Sequence, residues 1–236
     1  MEEDREDKTL SQPKEQTLPQ KLVTLTPDII CALQKEPNSN EFALDIHNRW
    51  LTSIRCLDLV PKLRCLDLSF NFISKVEGLE KCPELRELKL YSNKLEDAEG
   101  LGCCRKLEVL HLTHNQLLAL PKDLAKLGKL KHLRVDRNRL AGALGAPVAA
   151  LRELRTLDAS GNQLLSTRGV EALGQLEEAS FAQNELADLR GLGKCGSLRE
   201  LGLAHNHLAG AALAGLRSLR HLHTLWLQGN HLASLA

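Results

Sequence analysis

From Leu63 to Leu232 the apolar positions obey one rule, L-x-x-L-x-L-x-x-N-x-L, written eight times. The clearest copies are Leu85, Leu88, Leu90, Asn93, Leu95 and Leu107, Leu110, Leu112, Asn115, Leu117. Others relax one or two slots, as with Val135 in the fourth copy, Ala159 in the fifth, and Ala179 and Phe181 in the sixth. A degenerate earlier copy runs through Leu44, Ile46, Leu51 and Ile54, with Arg49 in the asparagine slot. The slots at 49, 71, 93, 115, 138, 162, 184, 206 and 230 step by 22, 22, 22, 23, 24, 22, 22 and 24 residues. L-x-L alternation has the period of a strand and puts alternate side chains on one face. One such strand cannot bury that face alone, so the pattern predicts nine coils stacked into a parallel sheet over a continuous leucine core. Asn71, Asn93, Asn115, Asn138, Asn162, Asn184, Asn206 and Asn230 would end the strands and form a ladder of satisfied buried amides. About 11 residues remain for each return, which implies short 3₁₀ or extended convex segments. The longer copies leave room for a helical turn, and short α-helices are predicted near 122–127, 147–152 and 211–219.

These residues resemble the leucine-rich repeat over 42–236, and the dominant 22-residue period is similar to that of the intracellular subclass typified by the SDS-type regulatory subunit of protein phosphatase 1. The resemblance implies an α/β solenoid: a horseshoe with a parallel concave β-sheet and short 3₁₀ or α convex segments. It also implies a binding role without fixing the partner.

The two ends break the pattern. Residues 1–41 carry nine acidic and five basic side chains, and 1–20 read as a disordered charged tail. Within 21–41, Thr26, Pro27 and Asp28 form a helix start, with Ile29, Ile30 and Leu33 on one face. A cap helix over the open end of the solenoid is expected there. After Asn230 the pattern continues to Ala236 with no evident C-terminal cap, which raises the expectation of a fragment, a short isoform or a partner contact at that end.

Composition narrows the classes of function. Leucine accounts for 52 of the 236 residues, against 5 isoleucines, 7 valines and 3% aromatics, so one structural slot absorbs most of the apolar content. A net charge of +1 supplies no global field for nucleic acid, and no apolar run suggests a membrane span. The acidic N-terminus does not read as a secretory signal, and no glycosylation acceptor occurs. The seven cysteines are therefore expected as reduced thiols inside the cell, in the cytoplasm first, with nucleus, cilium and centrosome left open.

Candidate chemistry is sparse. Gly191–Gly196 matches G-x-G-x-x-G but occupies the convex slot that Gly78–Pro83 fills in an earlier copy, without the strand–turn–helix context a cofactor needs. Cys82, Cys104 and Cys195 each precede a repeat by three residues, a recurring slot for a small buried side chain. His111, His114 and His132 lack a third ligand type for a metal. The residues point to no enzyme, no cofactor and no metal.

Function is expected at the variable strand positions. The residue between the two L-x-L leucines should face outward, giving the column Asp45, Asp67, Lys89, His111, Arg134, Asp158, Ser180, Gly202 and Trp226. A second outward column should run through Ser69, Tyr91, Thr113, Asp136, Ser160, Ala182, Ala204 and Gln228, with Phe70 and His114 beside it. Phe70, Tyr91 and Trp226 are candidate anchors for a partner. Lys126, Lys129, Lys131, Arg134, Arg137 and Arg139 make the fourth repeat basic. The leading reading is a non-catalytic scaffold that binds a protein through this concave face. A phosphatase regulatory subunit, or a component of a ribonucleoprotein or ciliary assembly, is the alternative the resemblance offers.

Overall fold

The computed structural model describes residues 23–35 and 40–232. Nine three-residue strands are set one per coil: β1 (Ala43–Asp45), β2 (Cys65–Asp67), β3 (Glu87–Lys89), β4 (Val109–His111), β5 (His132–Arg134), β6 (Thr156–Asp158), β7 (Glu178–Ser180), β8 (Glu200–Gly202) and β9 (Thr224–Trp226). They form one parallel sheet in sequence order. The middle residue of each strand points into the core, where Leu66, Leu88, Leu110, Leu133, Leu157 and Leu201 are buried. Where the middle residue shrinks to Ala179, the next slot grows to Phe181, which is fully buried, so the core stays filled.

The asparagine ladder explains why the polar slot never drifts. Asn115 donates from Nδ2 to the Leu90 carbonyl at 2.9 Å and to its own coil's Leu112 carbonyl at 3.0 Å. Its Oδ1 accepts the Leu95 N–H at 3.1 Å. All eight ladder asparagines bridge two coils in this way, from Asn71, which serves Leu51 and Ile46, to Asn230, which serves Leu208 and Leu203. The ladder satisfies backbone groups that the turns would otherwise bury unpaired, with the Leu90 carbonyl shared by Asn93 and Asn115 and the Leu112 carbonyl by Asn115 and Asn138.

The convex returns are mostly 3₁₀. Lys122–Lys126 and Gly210–Leu216, where short α-helices were expected, are 3₁₀ segments, and only Gly145–Ala149 (α2) is α-helical, slightly upstream of the range anticipated. A 3₁₀ turn rises about 2.0 Å per residue against about 1.5 Å for an α-helix, so it crosses the convex side with fewer residues. One or two extra residues per coil do not change that geometry. Side chains knit neighbouring returns: Asp123 Oδ2 accepts the N–H groups of Gly100 at 3.0 Å and Gly102 at 2.9 Å. A Cβ on Gly102 would fall 2.9 Å from the Asp123 Cβ, which is why that position is glycine.

At the N-terminal end, α1 (Pro27–Gln34) starts as the residues foretold, with Thr26 extended at φ −116° and its hydroxyl accepting the Ile29 N–H at 3.5 Å. Ile30 is buried, whereas Ile29 and Leu33 are half-buried against the core. Val23–Thr24 pairs in parallel with Leu51–Ser53 on the first coil. The charged tail expected at 1–20 lies outside the described residues, as do residues 21, 22 and 36–39 of the cap region and 233–236. At the other end, Leu225 of β9 is 38% exposed, where its in-register partner Leu201 is fully covered.

Candidate partner-binding surface

The strand register lines up the predicted outward column residue for residue: Asp45, Asp67, Lys89, His111, Arg134, Asp158, Ser180, Gly202 and Trp226 stand in one row across the sheet. At the centre two cations, Lys89 and Arg134, are flanked by the carboxylates of Asp67 and Asp158. Lys89 Nζ lies 3.7 Å from Asp67 and 3.1 Å from Glu87, and Arg134 lies 3.3 Å from Asp136 and 3.5 Å from Asp158. The Glu87 carboxylate holds Lys89 firmly protonated. His111 sits between the two cations, and burial followed by the charges of Arg134 and Lys89 pushes its pKa below the usual histidine value. Beyond Asp158 the row flattens. Ser160 and Ser180 share a 2.7 Å hydrogen bond, and Gly202 lies so close that a Cβ there would meet the Ser180 hydroxyl at 2.7 Å. Arg134, Glu178, Glu200 and Trp226 wall a shallow depression of about 290 Å³ over this floor. Trp226 is 43% exposed at its far rim.

The second column needs correction. Ser69, Asp136 and Ala204 are buried rather than presented to a partner, because the chain bends into the core as each strand ends. Asp136 instead accepts the Thr113 hydroxyl at 2.7 Å and pairs with Arg134, so it positions its neighbours. Tyr91 is half-buried and meets Phe70 edge-on, with ring centroids 5.0 Å apart.

The structure shows a regularity that the sequence pattern did not reveal. The residue just before each asparagine slot is left-handed in every coil: Asn48, Phe70, Ser92, His114, Arg137, Gly161, Gln183, His205 and Gly229 all have φ between 52° and 70°. In Phe70 this backbone lets the N–H donate to the Tyr91 carbonyl of the next coil at 2.9 Å and throws the ring outward, 51% exposed. His114 and Arg137 are exposed for the same reason, so three of the predicted partner residues stand on the strand-exit edge and not on the concave face. Glycine at 161 and 229 and Asn48 were the available signal, since these residue types tolerate positive φ.

The basic fourth repeat is likewise divided. Lys131 pairs with Glu108 at 2.6 Å and Arg134 joins the concave row, while Arg137 and Arg139 on the edge have no carboxylate within reach among the described residues. The three repeating cysteines are buried, and burial pushes the thiols of Cys82 and Cys195 up to about 11 and that of Cys104 higher still. Gly191–Gly196 falls on the 3₁₀ return Leu192–Lys194. Among the described residues no group of three or more His, Cys, Asp or Glu side chains is set to hold a metal, and no helix is long and apolar enough to cross a membrane.

Family models described as leucine-rich repeats match residues 61–103, as two copies, and residues 105–164. Among solved structures, internalin C2 from Listeria monocytogenes is 24% identical with a TM-score of 0.73, over 79% of this chain and 80% of that one. The ectodomain of the Arabidopsis thaliana receptor kinase GASSHO1/SCHENGEN3, in complex with CASPARIAN STRIP INTEGRITY FACTOR 2, is 25% identical with a TM-score of 0.62. That match covers 75% of this chain and 25% of the receptor. A TLR13–ssRNA13 complex is 21% identical with a TM-score of 0.73, over 83% of this chain and 29% of that one. The chain thus spans most of the internalin but less than a third of the plant receptor kinase ectodomain or of the TLR13 chain. No curated protein matches it significantly. The fold is a leucine-rich repeat horseshoe, and none of these likenesses assigns a phosphatase subunit.

Proposed function

We propose that the protein is a non-catalytic module that binds another protein through its concave face. The observation that carries this reading is the in-register row Asp67, Lys89, His111, Arg134 and Asp158, with Trp226 beyond a flat floor. The pairs between neighbouring strands, Lys89 with Asp67 at 3.7 Å and Arg134 with Asp158 at 3.5 Å, are long and partly exposed, so they cost little to give up and can be exchanged for a partner's charges. Nine strands at about 4.8 Å spacing span roughly 40 Å, enough for an interface of about 800 Å² per partner. The likeness to a plant receptor ectodomain held in complex with another factor is compatible with such use of the fold.

The test is affinity purification with wild type and the variant Lys89→Ala, Arg134→Ala. The variant should lose the captured partner and keep its thermal transition. Undiminished capture would move the site off this face. Regulation of a protein phosphatase, or membership of an RNA particle or ciliary assembly, are narrower forms of the proposal. Pull-down of phosphatase catalytic subunits, and the salt dependence of any RNA affinity, separate them.

A further inference from the structure

The strand-exit edge carries a feature that the concave reading does not use. Over the first four coils it forms a groove of about 500 Å³ whose walls include Trp50, Phe70, Phe72, Lys94 and His114. Trp50 and Phe72 stack at 5.6 Å with 11° between their planes, while Phe70 is held edge-on by Tyr91. A chain with seven aromatics in all places four of them at this edge. No carboxylate lines the groove, and the nearby Asp45 is engaged by His47 at 2.6 Å. Along the same edge, Lys94, Arg137 and Arg139 are exposed and have no acidic partner among the described residues. Two coils separate Lys94 from Arg139, about 10 Å at the spacing of parallel strands.

We propose that this edge is a second docking surface, for an acidic peptide segment of a partner protein that seats one aromatic or aliphatic side chain in the groove. The apolar walls supply an anchor pocket, and the unpaired cations select for carboxylates on one side of the anchor. Single-stranded nucleic acid fits less well. The rings are already engaged with one another instead of offering free faces for successive bases, and three cations are few for a phosphate at every nucleotide. The surface is independent of the concave row, so either can fail alone.

The experiment uses the full chain and a fluorescein-labelled synthetic peptide in which one tryptophan is flanked by glutamates and aspartates, read by anisotropy. Binding should weaken with salt, and Lys94→Glu should reduce affinity about tenfold, the loss of one favourable charge contact. Arg139→Glu and Phe72→Ala should weaken it too. Lys94 and Arg139 are exposed, so their variants keep the fold even if Phe72→Ala does not. Lys89→Ala on the concave face should leave affinity unchanged. The proposal is overturned if wild type fails to bind, or if Lys94→Glu and Arg139→Glu have no effect. It is also overturned if an oligouridylate binds more tightly with the same dependence on Lys94 and Arg139. Binding that appears only after Glu2, Glu3, Asp4, Glu6 and Asp7 are neutralised would assign the groove to the chain's own acidic segment and not to a partner.

Discussion

Two neighbouring columns of the solenoid, one residue apart in sequence, follow opposite rules. The asparagine column is nearly uniform, buried and bonded across coils, while the column just before it holds Asn, Phe, Ser, His, Arg, Gly and Gln in one backbone conformation. In the first column the side chain does the structural work, so its chemistry is fixed. In the second the backbone N–H does it, so the side chain is free to vary and stands in solvent. Uniformity along the repeat therefore marks what the coil needs, and variation beside it marks where a partner can be recognised.

The largest expected effect comes from breaking the uniform column. Asn115→Ala would strand the Leu95 N–H in a buried setting and take from the carbonyls of Leu90 and Leu112 one of their two amide bonds, leaving those from Asn93 and Asn138. A loss of about 3 kcal/mol is expected, from an orphan cost of about 1–3 kcal/mol for a buried polar group. Asn230→Ala, at a half-buried position in the last described coil, should cost about 1 kcal/mol by the same principle. Urea unfolding of the two variants measures both values, and equal losses would mean that burial does not set the strength of the ladder.

The neighbouring column should respond to backbone conformation and not to side-chain loss. Gln183 is exposed at φ 55°, with its N–H donating to the Ala204 carbonyl at 2.8 Å. Gln183→Gly should stabilise the fold by up to about 1 kcal/mol, because a left-handed conformation costs a side-chain-bearing residue roughly 1–2 kcal/mol and glycine gives back part of this in chain entropy. Gln183→Val should destabilise it by about 1 kcal/mol, since a β-branched side chain tolerates positive φ poorly. A higher urea midpoint for valine than for glycine would contradict the assignment of this column.

This contrast also explains what could be read from the residues. The leucine slots and Asn71 to Asn230 announced nine strands, their register and the ladder, because each demands one chemistry at one spacing. The outward row from Asp67 to Trp226 followed from alternation alone. The left-handed column was hidden because Phe70, His114 and Arg137 share a conformation and no chemistry. Ser69 and Asp136 were misplaced because alternation stops where the strand stops, and three-residue strands stop early. The convex returns at Lys122–Lys126 and Gly210–Leu216 were expected as α because the longer copies leave room for a helical turn, while the span to be crossed favours the longer rise of 3₁₀.

The smallest expected effect concerns the concave row, where variation is combined with partial burial. His111 lies in register between Lys89 and Arg134, and burial, then Arg134, then Lys89 hold its pKa below the ordinary 6.5. Because the folded state binds this proton more weakly than the unfolded chain does, the site costs stability once the pH falls below about 6.5, and costs none well above it. Arg134→Met should raise the His111 midpoint toward the ordinary value, and Lys89→Met should raise it by less, as read from the imidazole proton shifts by NMR. An acidic partner seated on the row should move it in the same direction, because added carboxylates favour the imidazolium. An acidic peptide confined to the strand-exit edge should leave it nearly still. A His111 midpoint unmoved by either substitution would show that burial alone sets it and that the row does not act as one electrostatic unit.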